Sequence, residues 1–162
     1  MGLFFHLLTH VVLALLAGLL VWMTSGNMGI PFVAAFVGGV FIDLDHLIDY
    51  FFAFRTKFRM SYFLKGYQFL KSDKIYVLFH GWEYVIILLF FYVLLDNMVI
   101  QSSLLALALG MFFHLWTDVL INKIPARSYS LLYRMKNNFD MENLVTKEHR
   151  QKHLMLKQDM KI

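Results

Sequence analysis

The chain contains no cysteine, and that absence removes disulfides, thiolate metal sites and a cysteine nucleophile together. Any metal it binds must be held through nitrogen and oxygen. Lysine and arginine are missing from most of the chain as well: six lie in residues 54–74, nine in residues 122–162, and none elsewhere. A glycine-rich phosphate loop, a serine nucleophile with a partnered base and a nucleic-acid-binding module are also lacking. With no such module, the two basic stretches are read as determinants of membrane topology, and no nucleic-acid partner is expected.

What fills the sequence instead is apolar. Hydrophobic residues make up 59% of 162 positions, mean hydropathy is +0.60, and the apolar residues fall in blocks too long to hide inside a water-soluble globule of this size. The expected fold class is an all-α integral membrane bundle. Four blocks, 3–23, 29–53, 75–95 and 99–121, have the length of a spanning helix, about 20 residues at about 1.5 Å rise. "TSGNMG" joins the first pair and "DNMVIQSS" the second, so each pair reads as a helical hairpin. The first block is expected to persist as a span, because residues 1–23 carry no Lys or Arg and "VWMTSGN" offers no small-residue cleavage site. The 17 Phe, 8 Tyr and 3 Trp suit lipid-facing surface and interfacial belts.

The basic residues set the expected orientation: residues 54–74 and both termini cytoplasmic, in the plasma (inner) membrane. The expected division is a transmembrane four-helix domain, 1–121, which includes the basic aromatic loop, and a polar cytoplasmic tail, 122–162, helical from about Asp140. In the loop, Phe54, Phe58 and Tyr62 recur every fourth position beside Arg55 and Arg59, a pattern that suits anionic head groups and equally suits a loop that only sets topology. His149 and His153 in the tail are read as surface positions.

Splitting the charge by region exposes a problem. The loop has six basic residues against Asp73, and the tail nine against four acids, so each carries +5; a chain total of +4 leaves −6 for the apolar remainder. Those acids are Asp43, Asp45, Asp49, Glu83, Asp96 and Asp118, and Asp96 falls in an outer turn. Each of the other five would cost roughly 2.5 to 3.5 kcal/mol at a helix centre. Protons, histidines, water or metal cations must compensate them.

Histidines accompany them at one depth. His6, His10, Asp43, Asp45, His46, Asp49, His80, Glu83, His114 and Asp118 all fall near the cytoplasmic ends of their expected helices. Residues three or four apart share a helix face, and "HLLTH", "DLDHLID", "HGWE" and "HLWTD" each offer such a pair. Mixed imidazole and carboxylate donors suit zinc, manganese or iron, and carboxylates can bridge two ions.

Taken together, "HLLTH", "FIDLDH", "FHGWE" and "GMFFHLWTD" resemble the membrane-bound metal-dependent hydrolase family, over about residues 6 to 122. The chain departs from that family's pattern in having Ile42 where many members have Pro, and Glu83 in place of a second His after His80. The resemblance implies a metal-dependent hydrolase distantly like zinc phospholipases. The expected ligands of a divalent ion, zinc first, are His10, Asp43, Asp45, His80, His114 and Asp118, with His6 and His46 as additional ligands or supporting partners. Glu83 or Asp49 would take the proton. Arg55, Lys57 and Arg59 would hold the phosphate of an anionic lipid substrate. Two other readings stay open: ion or proton translocation through the acidic layer, and a structural or regulatory membrane subunit whose polar cluster only fixes helix packing.

Overall fold

A computed structural model describes residues 3–27 and 29–159. In chain order the elements are α1 (Leu3–Ser25), α2 (Gly29–Gly39), a 3-10 turn (Phe41–Asp45), α3 (His46–Phe54), α4 (Met60–Leu64), α5 (Tyr67–Ser72), α6 (Trp82–Leu94), α7 (Met98–Asn122), a second 3-10 turn (Ala126–Tyr129), α8 (Leu131–Lys136), α9 (Met141–Leu144) and α10 (Lys147–Asp159). The described residues form helices and no strand, with one isolated bridge between Lys74 and Asp140.

Among the described residues two helices, Phe5–Ser25 and Met98–Asn122, are long and apolar enough to cross a membrane. Gly29–Gly39 and Phe41–Phe54 make a third if the 42° bend between them is taken within one span. The bend follows Gly38 and Gly39, poor helix formers, after which the chain tightens into the 3-10 turn. The block expected over 75–95 is helical only over the 13 residues of α6, about 20 Å long against a hydrocarbon core of about 30 Å. Its first part is extended because other residues take its backbone N–H groups, as described below.

The chain divides into two compact units: Met1–Asp43 with His80–Lys123, and Leu44–Phe79 with Ile124–Ile162. Residues 44–79 fall in the same unit as residues 124–162.

In the first unit α2 packs on α1 and α7, and α6 on α7. Small residues make the contact close. A Cβ on Gly110 would strike the carbonyl oxygen of Ala35, one on Gly38 the carbonyl oxygen of Leu107, and one on Gly39 would come 2.8 Å from the Cβ of Ala14. Ala17, Val21, Ala35 and Ala106 are buried around this contact. Where lipid tails are as apolar as the side chains, such near backbone approach supplies the packing that a hydrophobic driving force cannot. Asn97 caps α7 by accepting hydrogen bonds from the N–H groups of Val99 and Ile100, each at 3.1 Å.

In the second unit the fully buried Tyr50 of α3 closes the following loop: its hydroxyl donates to the Lys57 carbonyl at 3.1 Å and accepts from the Arg59 N–H at 2.8 Å. Arg134 of α8 is also fully buried, donating to the carbonyls of Ser128 (2.8 Å) and Val77 (3.0 Å). Helix α10 is anchored through His153, whose Nε2 lies 2.9 Å from Asp73 Oδ1, and through Lys157, which also pairs with Asp73. His153 is thus a buried anchor rather than a surface residue. Burial works against ionisation of Asp73, but the hydrogen bonds from Lys157 and His153 outweigh it and hold its carboxyl below the usual carboxylate value.

Candidate metal centre

The first unit gathers six of the expected residues. Helix α1 supplies His6 and His10 one turn apart, α7 supplies His114 and Asp118 one turn apart, the 3-10 turn supplies Asp43, and the segment just before α6 supplies His80. His10, His80, His114 and Asp118 are buried, while Asp43 and His6 are partly accessible.

The two oxygens of Asp118 face different partners. Its Oδ1 lies 2.9 Å from His6 Nε2 and 3.4 Å from His10 Nε2. Its Oδ2 lies 3.6 Å from His114 Nε2 and 3.9 Å from His80 Nε2. Asp43 Oδ1 closes the second group, 3.3 Å from His80 Nε2 and 3.4 Å from His114 Nε2. His6, His10 and Asp118 could hold a metal ion, as could His80, His114 and Asp118, and as could His10, Asp43 and His114.

The chemistry of the donor set argues for a cation. His114 Nδ1 is 2.9 Å from the carbonyl oxygen of Gly39, which can only accept, so Nδ1 carries a proton and Nε2 is the nitrogen turned toward the cluster. That contact depends on the close approach of α2 and α7 at Gly39 and Gly110, and it is the usual way a metal-ligating imidazole is oriented. His80 Nε2 comes within 3.1 Å of His114 Nε2. His10, stacked on His114 with ring centroids 4.0 Å apart, is buried, and among the described residues neither of its nitrogens has a well-aligned hydrogen-bond partner, the 3.4 Å approach of Asp118 to Nε2 being an ion-pair contact. A buried imidazole without a hydrogen bond is costly, and a cation bound through Nε2 removes half of that cost.

Of the other expected residues, Asp45 and Asp49 take backbone partners within the second unit, to which His46 also belongs; His46 is itself among the residues that could hold a metal ion. Asp49 Oδ1 and Oδ2 accept the backbone N–H groups of Tyr76 and Val77, both at 2.8 Å, and Asp45 Oδ2 accepts that of Phe79 at 2.8 Å. Val77 has φ of 31°, a conformation strained for a β-branched residue; Asp49 holds its N–H and Arg134 its carbonyl. These bonds keep residues 76–79 out of the helix, so "HGWE" does not present His80 and Glu83 on one helical face: His80 precedes α6 and Glu83 sits in its first turn. The ring of His46 packs edge-on to Phe69, centroids 5.6 Å apart. Arg55, Lys57 and Arg59 are exposed on the second unit.

Sequence reasoning missed Arg134 and His153. Arg134 had one available signal, a lone charge within the otherwise apolar "LLYRM"; nothing local marked His153.

Comparison with protein-family models, with curated proteins and with solved structures finds no match.

Proposed function

We propose that the protein is a membrane-embedded, metal-dependent hydrolase acting on an ester or phosphoester of a lipid-like substrate, with zinc the preferred ion and manganese or iron the alternatives. The observation that carries this reading is the buried convergence of His10, His80 and His114 on the carboxylate of Asp118. Four imidazoles and two carboxylates match the borderline-soft character of zinc better than the all-oxygen sets favoured by magnesium and calcium.

The division of the Asp118 oxygens supports two adjacent ions. His6 and His10 with Asp118 would hold one, and His80 and His114 with Asp118 and Asp43 the other. An ion held there would supply Lewis acidity, polarising the scissile group and acidifying a water molecule. The chain's own part is to fix the donors. Gly39 fixes which nitrogen of His114 faces the cluster, and Asp45 and Asp49 hold residues 76–79 extended. Glu83, in the first turn of α6, is the proposed proton acceptor. With both oxygens of Asp49 taken by backbone N–H groups, its assigned role becomes positioning.

The distribution of the basic segments favours both termini on the cytoplasmic side of the inner membrane. Such a site at head-group depth is reached more readily by a lipid ester than by a soluble metabolite. The test is turnover of a panel of fluorogenic phospholipid and acyl-ester substrates in mixed micelles, with and without added zinc or manganese. Metal-dependent cleavage lost in Glu83→Gln supports the reading. Equal turnover in the metal-free and metal-loaded protein, or none on any substrate once the metal is bound, removes it.

A further inference from the structure

The second unit carries an exposed patch that the metal centre does not use. In it, cationic groups lie over aromatic rings: Arg59 over Tyr62, 5.1 Å from the centroid; Lys65 over Tyr67, 5.8 Å; and Lys71 over Phe54, 4.5 Å. The rings are themselves in series, with Phe54 and Tyr62 5.7 Å apart and Tyr62 and Tyr67 5.2 Å apart. Stacking of this kind holds long cationic side chains in place. Beside them Phe58, Met60 and Leu64 are exposed by 43%, 58% and 52%.

The charge of the patch is unbalanced. The only acid in residues 54–74 is Asp73, already matched by Lys157 and His153, and Lys74 is matched by Asp140 at 3.0 Å. Arg59, Lys65 and Lys71 have no carboxylate within ion-pair distance among the described residues. Ordered cations with no protein counter-charge, set next to exposed apolar side chains, need a partner that is negative at its surface and apolar beneath it.

The geometry points to this patch as a docking surface for an anionic lipid leaflet, in which Arg59, Lys65 and Lys71 meet head-group phosphates while Phe58, Met60 and Leu64 enter the acyl boundary. Both components are needed. Basic residues alone give a salt-screened attraction that fades within a Debye length, and the apolar side chains add burial that zwitterionic lipid also rewards. The inference rests on the membrane reading above and is independent of the metal and of catalysis.

Because the chain has no cysteine, a single one can be introduced as a probe without background. Met60→Cys and Leu64→Cys proteins, labelled with an environment-sensitive naphthalene dye, are reconstituted into vesicles of phosphatidylcholine alone or of phosphatidylcholine mixed with phosphatidylglycerol. Resistance to alkaline extraction reports membrane insertion separately. The expected result is a blue shift of the dye emission, with quenching by brominated acyl chains, when phosphatidylglycerol is present, and loss of that difference on adding Arg59→Gln, Lys65→Gln and Lys71→Gln together. Inserted protein with the same emission in both vesicles overturns the docking surface and leaves the membrane reading intact, as does a triple variant that keeps the full shift. Protein that alkali strips from both vesicles overturns the membrane reading and the docking surface together.

Discussion

His114 Nδ1–H donates a hydrogen bond to the carbonyl oxygen of Gly39 across 2.9 Å, from α7 to the last turn of α2. The contact joins the packing of the bundle to the chemistry of the cluster. The same small residues that let the two helices approach also decide which nitrogen of His114 faces Asp118 and His80.

Enlarging Gly39 or Gly110 should therefore damage both. A side chain on Gly110 meets the backbone of Ala35, which has no flexible end to give way. Gly110→Val is expected to destabilise the protein by about 1 to 3 kcal/mol, as overpacking usually does, and to lower metal content with it. Thermal unfolding in detergent beside metal analysis tests this. A variant with unchanged unfolding and full metal would show that the close approach is dispensable.

The two oxygens of Asp118 predict different outcomes for its neighbours. His6→Ala should remove one ion and leave about one per chain, since His80, His114 and Asp43 remain, whereas Asp118→Ala should remove both. Metal content after dialysis separates the cases. Equal loss from the two variants would argue for a single ion.

Asp49→Asn should act through the backbone. An amide can accept from only one of the two N–H groups that the carboxylate now serves, and its own N–H₂ faces the other, at a cost of about 1 to 3 kcal/mol. Hydrogen exchange should speed up at Tyr76 and Val77 and the unfolding temperature should fall. Slow exchange at both amides in the variant would contradict the positioning role.

The docking of α10 should respond to acid through Asp73. Its carboxyl is held below the ordinary value of 3.8 by its hydrogen bonds with Lys157 and His153, so the stabilisation it gives is complete above that value and is lost as pH falls from there through the lower folded value. Because the Lys157 pair is half-exposed, the effect is small and salt-sensitive. Proteolysis of α10 should accelerate only in strong acid, and Asp73→Asn should remove that pH dependence. Identical acid profiles for the two proteins would rule Asp73 out as its source.

The sequence showed the parts of the site that local periodicity governs. His6 with His10 and His114 with Asp118 stand one turn apart on long apolar helices, and the structure places both pairs in one cluster. It did not show which acid of "DLDHLID" would join them. That is decided by the break after Gly39, which sends Asp43 to the cluster while Asp45 and Asp49 bind N–H groups 27 to 34 residues away. No helical period encodes such a long-range pairing, and the same bonds turned an expected span beginning near residue 75 into an extended segment followed by a 13-residue helix. His153 was hidden for a related reason: its partner, Asp73, is 80 residues distant.

Under the proposed function a cation compensates the carboxylates of Asp43 and Asp118, whereas Asp45 and Asp49 are served by backbone N–H groups. Elemental analysis of detergent-purified protein, wild type beside the His114→Ala, Asp118→Ala double variant, tests that compensation most directly. The account predicts about one to two zinc, manganese or iron ions per wild-type chain and none in the variant. Wild-type protein with no stoichiometric metal after reconstitution with each ion would contradict it, leaving protons as the compensating charge and the cluster as a proton-handling or structural feature.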